Sequence, residues 1–261
     1  IMAYDPGEKE RVCVVDGNDQ EWADEIELLA WEDLKLYAKT DSEGLYLLIR
    51  GKDLREEPLY LPIDTTQESG STFCSQPKLS FNRAADFLLC LNGTDDTRLL
   101  VQERYDPLRE NFLTEISGQD PFVEYPEADT DLFVPIGIAL QNPTLVNEEL
   151  VSTAQEAQRL RFLGVWETGK LVHGCGDPDS ADYYSLADFC FGRDCVEIRL
   201  PWLLLNVGDP SSMQIHSDYY QNFGVLTHSV SCFYLGLGDG SQIISLSPLE
   251  LKGYSMPTYH E

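Results

Sequence analysis

No apolar run in this 261-residue chain approaches the roughly 18 residues that a membrane-crossing helix needs. Neither a helical span nor a signal peptide is visible, and membrane insertion is not expected. Basic residues are scarce. Eighteen Lys and Arg stand against 45 Asp and Glu, a formal net charge of −27. That charge repels nucleic acid and anionic lipid over a Debye length of roughly 8–10 Å. The seven cysteines (Cys13, Cys74, Cys90, Cys175, Cys190, Cys195, Cys232) include no CxxC pair, which disfavours a zinc ribbon or a thioredoxin motif. Cys90 and Cys232 lie in apolar runs and read as buried thiols. Cys190 and Cys195 could bridge across Gly192-Arg193-Asp194, or Cys175 could pair with either. An odd count leaves at least one thiol unpaired, so cysteine usage leaves the redox compartment open.

Catalytic signatures are missing too. There is no GxSxG, HExxH or P-loop, and His173, His216, His228 and His260 are scattered. Gly236-Leu237-Gly238-Asp239-Gly240 overlaps two GxG patterns, but Asp239 repels phosphate and no helical pattern follows. A glycosidase needs two carboxylates roughly 5–9.5 Å apart. With 45 acidic residues such a pair arises by chance.

What is present is ample apolar content, 43% of residues, enough for a packed core. Its period is mostly that of strands. Leu34 to Thr40 and Leu45 to Arg50 flank a turn at Asp41-Ser42-Glu43-Gly44, with Leu34, Leu36 and Ala38 inward and Lys35 and Lys39 outward. Leu59 to Asp64 reads as a strand in which Pro62 marks an edge or a bulge. Ala85 to Leu91 and Arg98 to Tyr105 flank Asn92-Gly93-Thr94-Asp95-Asp96. This segment matches the N-glycosylation pattern, although a hairpin Asn-Gly turn explains it more economically. Asp106 caps a helical turn with Leu108, Phe112, Leu113 and Ile116 at helical spacing, ended by Gly118. Residues 119 to 131 form an acidic, proline-containing loop, Leu132 to Leu140 is extended, and Asn147 to Gln158 could hold a short helix. Arg161 to Thr168 reads as a strand. The chain between Leu205 and Tyr220 reads as a loop, and Val225 to Leu237 as the last strand.

One stretch organises the rest. In Cys195 to Leu205, Val196, Ile198 and Leu200 alternate with Glu197 and Arg199, as in a strand with one buried and one solvated face. Pro201 ends the ladder, and Trp202 with Leu203 to Leu205 plugs one end of a core. Strands outnumber helices, and neither a repeat nor a low-complexity linker interrupts the chain. The expectation is a single all-β domain over residues 1–261, an antiparallel β-sandwich of jelly-roll or immunoglobulin-like type with long loops and a few short helices. The first residue is Ile1, and the chain is expected to be a segment of a longer polypeptide.

The succession Val15-Asp16-Gly17-Asn18-Asp19 with Trp22, the hairpin around Asp41 with Gly44-Leu45-Tyr46, Ile63-Asp64-Thr65, Ala85-Asp86-Phe87 and Glu197-Ile198-Arg199-Leu200-Pro201-Trp202 spans most of the chain. It resembles the family 9 carbohydrate-binding modules and their DOMON-like relatives. That resemblance implies a sandwich attached to a larger extracellular polysaccharide-acting or surface protein, aromatic rings that stack on sugars, and calcium that supports the loops. The chain departs from the family by an insertion at about 106–158.

Sugar C–H faces pack on aromatic planes, and sugar hydroxyls need carboxylates or amides as partners. Trp22 and Trp202 are flanked by apolar residues and read as core. Trp166, Tyr183, Tyr184, Tyr219 and Tyr220 are the candidate stacking rings. Asp16, Asn18 and Asp19 alternate oxygens around a glycine turn and are the candidate calcium ligands, without an EF-hand loop; Asp177 and Asp179 form a second set. The expected function is non-catalytic binding of a polysaccharide or oligosaccharide by an extracellular or cell-surface protein. Other domains of the same polypeptide are its expected partners. A structural or protein-interaction sandwich is the alternative, and a glycosidase or lyase the third reading.

Overall fold

The hairpin at Leu34 is the centre of a five-stranded antiparallel sheet. A computed structural model describes residues 3–5, 12–111, 120–139, 165–254 and 258–260. Strands β2 (Leu29–Trp31), β3 (Leu34–Thr40), β4 (Gly44–Arg50), β13 (Phe189–Phe191) and β14 (Cys195–Pro201) lie in the order β13-β14-β4-β3-β2. The Asp41 carboxylate closes the β3–β4 turn by accepting from the amides of Glu43 and Gly44. A Cβ on Gly44 would sit 2.4 Å from the Leu200 carbonyl oxygen, so this close approach of β14 to β4 requires glycine.

A six-stranded sheet faces it, with β5 (Leu59–Asp64), β8 (Phe87–Leu91), β9 (Arg98–Gln102), β10 (Phe133–Pro135), β18 (Cys232–Gly236) and β19 (Leu246–Glu250) in the order β10-β9-β8-β5-β18-β19. Between the sheets lies one core: Leu36, Leu47, Ile49, Val196 and Ile198 from the first, Leu61, Phe87, Leu89, Leu99 and Phe233 from the second. Each such side chain contributes about 1.5–3 kcal/mol by leaving water. The fold is therefore the expected all-β sandwich. Trp202, in the short 3-10 helix Trp202–Leu205, meets Phe233 edge-on at 6.3 Å and donates its indole N–H to the Asp41 carbonyl at 2.8 Å. It plugs the end of the core as its neighbours in sequence suggest.

Both outer faces carry a second layer. On the five-stranded sheet, Cys13, Val15 and Trp22 pack against Tyr37, Tyr46, Leu48, Cys190 and Cys195. On the six-stranded sheet, the hairpin β6 (Ser71–Cys74) and β7 (Leu79–Ala85) brings Cys74, Leu79 and Phe81 onto Leu88 and Leu100. Smaller ribbons complete the described residues: β1 (Ala3–Asp5) with β20 (Thr258–His260), β11 (Gly137–Ala139) with β12 (Val165–Glu167), and β15 (Val207–Asp209), β16 (Gln214–His216) and β17 (Thr227–Ser229) in sequence.

Several expectations need correction. Glu197 faces away from the core but not into water: it is 0% exposed, because residues 12–22 lie over that face of β14. The chain between Leu205 and Tyr220 is not a bare loop, since β15 and β16 form there. The run from Val225 to Leu237 divides into β17 and β18, and β19 follows it. Pro62 sits in an interior strand. Its side toward β18 falls between the Ile63–Leu235 pair and the Tyr60–Gly238 bridge, where the ladder is broken and no proline N–H is needed. All seven cysteines are free. Strand register explains the missing Cys190–Cys195 bridge, since it sets Cys190 opposite Glu197 rather than Cys195. The helical turn after Asp106 is seen over residues 107–111, with the Asp106 carboxylate accepting from the Arg109 amide. Its continuation through Gly118, the helix at 147–158 and the start of the strand at 161–164 lie outside the described residues.

Candidate functional site

The acidic loop that precedes β10 is fixed to the sandwich through its backbone. The Gln102 side-chain amide donates to the carbonyls of Ala128 and Thr130, both at 3.1 Å. The amides of Ser75 and Glu103 donate to the carbonyls of Asp131 and Leu132 at 3.0 and 2.9 Å. Arg104 Nη1 reaches the Pro126 carbonyl at 2.8 Å. These bonds hold the loop against β6 and β9, and between them runs an open groove of about 680 Å³. Two half-exposed rings line it, Phe73 at 38% and Tyr125 at 47% exposure. Glu103, Glu127, Asp129 and Asp131 supply carboxylates along its length, and no lysine or arginine lines it among the described residues.

Tyr125 is positioned from below. Its ring stacks on Tyr220 at 4.8 Å, and the Arg104 guanidinium lies 5.3 and 5.4 Å from the two ring centroids. Arg104 pairs with Asp218 at 2.7 Å in a nearly dry setting, the side chains being 10% and 2% exposed. The other Asp218 oxygen accepts from the amides of Tyr220 and Gln221. Next to this stack Phe122 lies on Tyr219 at 5.5 Å and against Phe223 at 5.3 Å.

Tyr219 and Tyr220, expected to stack on sugars, are therefore buried, at 3% and 5% exposure. They support the rings of Phe122 and Tyr125 and offer no open face. Tyr183, Tyr184 and Trp166 are exposed, at 47%, 45% and 68%, but none of them lines the groove. Trp166 sits opposite Ile138 across β11 and β12, and Tyr184 packs beside Gly174. Sequence reading missed Phe73 and Tyr125. The signal available for Tyr125 was an aromatic residue set between Glu124 and Pro126-Glu127 in a polar loop, where nothing nearby in sequence covers it.

The turn expected to hold calcium has other partners. Asp16 Oδ1 accepts from the Asn18 amide at 2.7 Å, Asn18 Oδ1 from the Gln20 amide at 3.3 Å, and Asp19 pairs with Arg50 at 2.7 Å. Asp177 likewise accepts from the Asp179 amide at 2.9 Å. Among the described residues, the His, Cys, Asp and Glu side chains that converge within 4.8 Å are Cys13, Glu21 and Glu197. Glu197 is saturated there. Its Oε2 accepts from the amides of Asp16 and Gly17 at 3.0 and 2.7 Å, and its Oε1 from Trp22 Nε1 at 2.7 Å and the Cys13 thiol at 3.6 Å. Burial pushes the Glu197 carboxyl up to about 7, and the donated hydrogen bonds oppose that shift. Gly17 takes φ +80°, and a Cβ there would meet Phe191 and Gly192 backbone atoms at 3.0 Å. The Asp-Gly turn, Trp22 and Glu197 thus form one latch.

A second cleft of about 440 Å³ is lined by Asp64, Thr66, Glu68, Arg83, His228 and Tyr234. Arg83 pairs with Asp64 and covers the Tyr234 ring at 3.6 Å, so that ring is not open for stacking. Burial raises the Asp64 carboxyl despite Arg83. Around His228, Ser217 Oγ takes Nδ1 at 2.7 Å and Thr66 Oγ1 takes Nε2 at 3.1 Å, while Glu68 Oε2, 3.8 Å from Nδ1, lies beyond hydrogen-bond distance.

The class defined by these features is an antiparallel two-sheet β-sandwich with a latched outer layer and an aromatic, acidic groove. Compared with protein-family models, curated proteins and solved structures, the chain has no match.

Proposed function

We propose that this domain is a non-catalytic saccharide-binding module of an extracellular or cell-surface protein, with the groove between Phe73 and Tyr125 as its binding face. The observation that carries the reading is the pairing of two half-exposed rings with carboxylate acceptors on a loop whose backbone is already fixed. Sugar rings bring C–H faces to such aromatics and hydroxyl donors to such carboxylates. Pre-ordering of the loop lowers the entropy lost on binding. Four carboxylates without a lining cation favour neutral or amine-bearing saccharides over uronates and sulfated chains.

Catalysis is not part of the reading. Glu197 and Asp86, whose carboxyls burial raises to about 7, are both 0% exposed and neither lines the groove. A screen of the chain against immobilised glycans, with and without EDTA, tests the proposal. Retention on neutral or amine-bearing glycans is expected, and EDTA separates calcium-dependent from calcium-independent binding. Retention on none overturns the reading.

A second reading, a protein-interaction sandwich, draws on the neighbouring tip. Phe223 is 76% exposed at a left-handed φ of +53°, and Val123 is 80% exposed. Exposed apolar groups on strained backbone mark contact surfaces. Replacing both residues by serine would weaken association with a protein partner and leave saccharide binding intact.

A further inference from the structure

We propose that Asn92 is an N-glycosylation acceptor. Asn92-Gly93-Thr94 is the one Asn-X-Ser/Thr triplet in the chain whose middle residue is not proline, since Asn142-Pro143-Thr144 is barred by Pro143. The economical alternative is a hairpin turn over Asn92-Gly93-Thr94-Asp95-Asp96, in which an Asn-Gly pair serves a left-handed backbone. The structure shows that hairpin between β8 and β9, but Asn92 does not occupy a left-handed position in it. Strands β8 and β9 end at Leu91 and resume at Arg98, so the connection spans residues 92–97, and Asn92 is not among the residues with positive φ. Within the loop, Gly93 carries the positive φ, at +65°. The loop is closed by Thr97, whose hydroxyl accepts from the Asn92 amide and donates to the Gly93 carbonyl.

Access is open at both residues that the transferase reads. Asn92 and Thr94 are exposed, and a Cβ at Gly93 would meet only the Arg55 carbonyl, at 3.4 Å. In the transfer, Asn92 Nδ2 forms a bond to C1 of a lipid-pyrophosphate-linked oligosaccharide as the C1–O bond to pyrophosphate breaks. The lipid pyrophosphate leaves with the electron pair, and one amide proton is lost to base. The remaining Nδ2–H can keep the bond to Asp96 Oδ2, now 3.0 Å.

The position suits a binding module. The loop joins the N-terminal end of β9, whereas Gln102 and Glu103, beside the groove, lie at its C-terminal end. The five-residue strand separates them by roughly 17 Å, so a glycan on Asn92 leaves the groove uncovered. The inference goes beyond saccharide binding and needs only passage through a secretory compartment, as an extracellular protein undergoes.

The test is secretion of the chain from eukaryotic cells behind a cleavable signal sequence, with intact mass and peptide mapping before and after peptide N-glycosidase. Glycan mass on the Asn92 peptide, and its conversion to aspartate by the enzyme, are expected. Asn92→Gln and Thr94→Ala should each abolish the modification, and Thr94→Ser should retain it. The Ser variant separates loss of the acceptor signal from loss of folding. Secreted, folded protein with unmodified Asn92 would overturn the proposal, whatever the glycan screen shows.

Discussion

Trp22 donates its indole N–H to Glu197 Oε1 at 2.7 Å, across 175 residues of sequence. Through this bond and the Asp16 and Gly17 amides on Oε2, one carboxylate on β14 holds the N-terminal layer onto the sheet. Trp22→Phe keeps the ring in the cluster but removes the donor. A hydrogen bond to a buried charged group is worth about 1.5–3 kcal/mol, and denaturant unfolding at pH 8, above the raised Glu197 value of about 7, should show a loss of that order. An unchanged midpoint would remove Glu197 from its role as the anchor.

The same burial sets a pH dependence. Glu197 and Asp86 release their protons at ordinary values of 4.5 and 3.8 when unfolded, but burial holds them to about 7 in the fold. Asp86 feels the Asp64 charge as well, and hydrogen bonds from Ser69, Thr65 and Thr66 only partly offset these effects. Between those values the native state binds more protons than the unfolded chain, so stability falls as pH rises through that window. The melting temperature should therefore be higher near pH 5 than near pH 8. A profile that rises with pH over this range would contradict the assignment.

These two carboxylates also show how far sequence reading reached. Alternation in Val196, Ile198 and Leu200 located β14 and its core face, and the residues around Asp41 located the β3–β4 hairpin. Alternation says only that Glu197 points the other way. That residues 12–22 cover it is a contact between distant segments, with no periodic trace. The aromatic loop behaved alike: Tyr219 and Tyr220 stand in a polar stretch, but Phe122 and Tyr125, nearly a hundred residues earlier, supply the rings above them. The groove was legible only as an acidic loop, because Phe73 comes from a separate hairpin.

Arg104 and Asp218 form a buried pair beneath Tyr125. Arg104→Met leaves the Asp218 charge uncompensated and should cost about 3–5 kcal/mol of stability. Adding Asp218→Asn should recover part of that loss. A double-mutant cycle by chemical denaturation checks both, and additive losses would show that the pair is uncoupled.

The cysteines should remain thiols. Cys190 and Cys195 are pushed up to about 12 and about 11, chiefly by burial, which keeps them from the reactive thiolate form. Thiol titration after unfolding without reductant should count all 7 cysteines. A lower count would reveal a disulfide.

The saccharide groove is tested most directly by calorimetric titration of an oligosaccharide retained in the glycan screen, into the native chain and into Tyr125→Ala. Binding by the native chain and weakening by about tenfold in the variant, equivalent to about 1.4 kcal/mol, are predicted, with Tyr184→Ala unchanged as the control. Equal affinity of the native chain and Tyr125→Ala, or loss of binding in Tyr184→Ala instead, would contradict it.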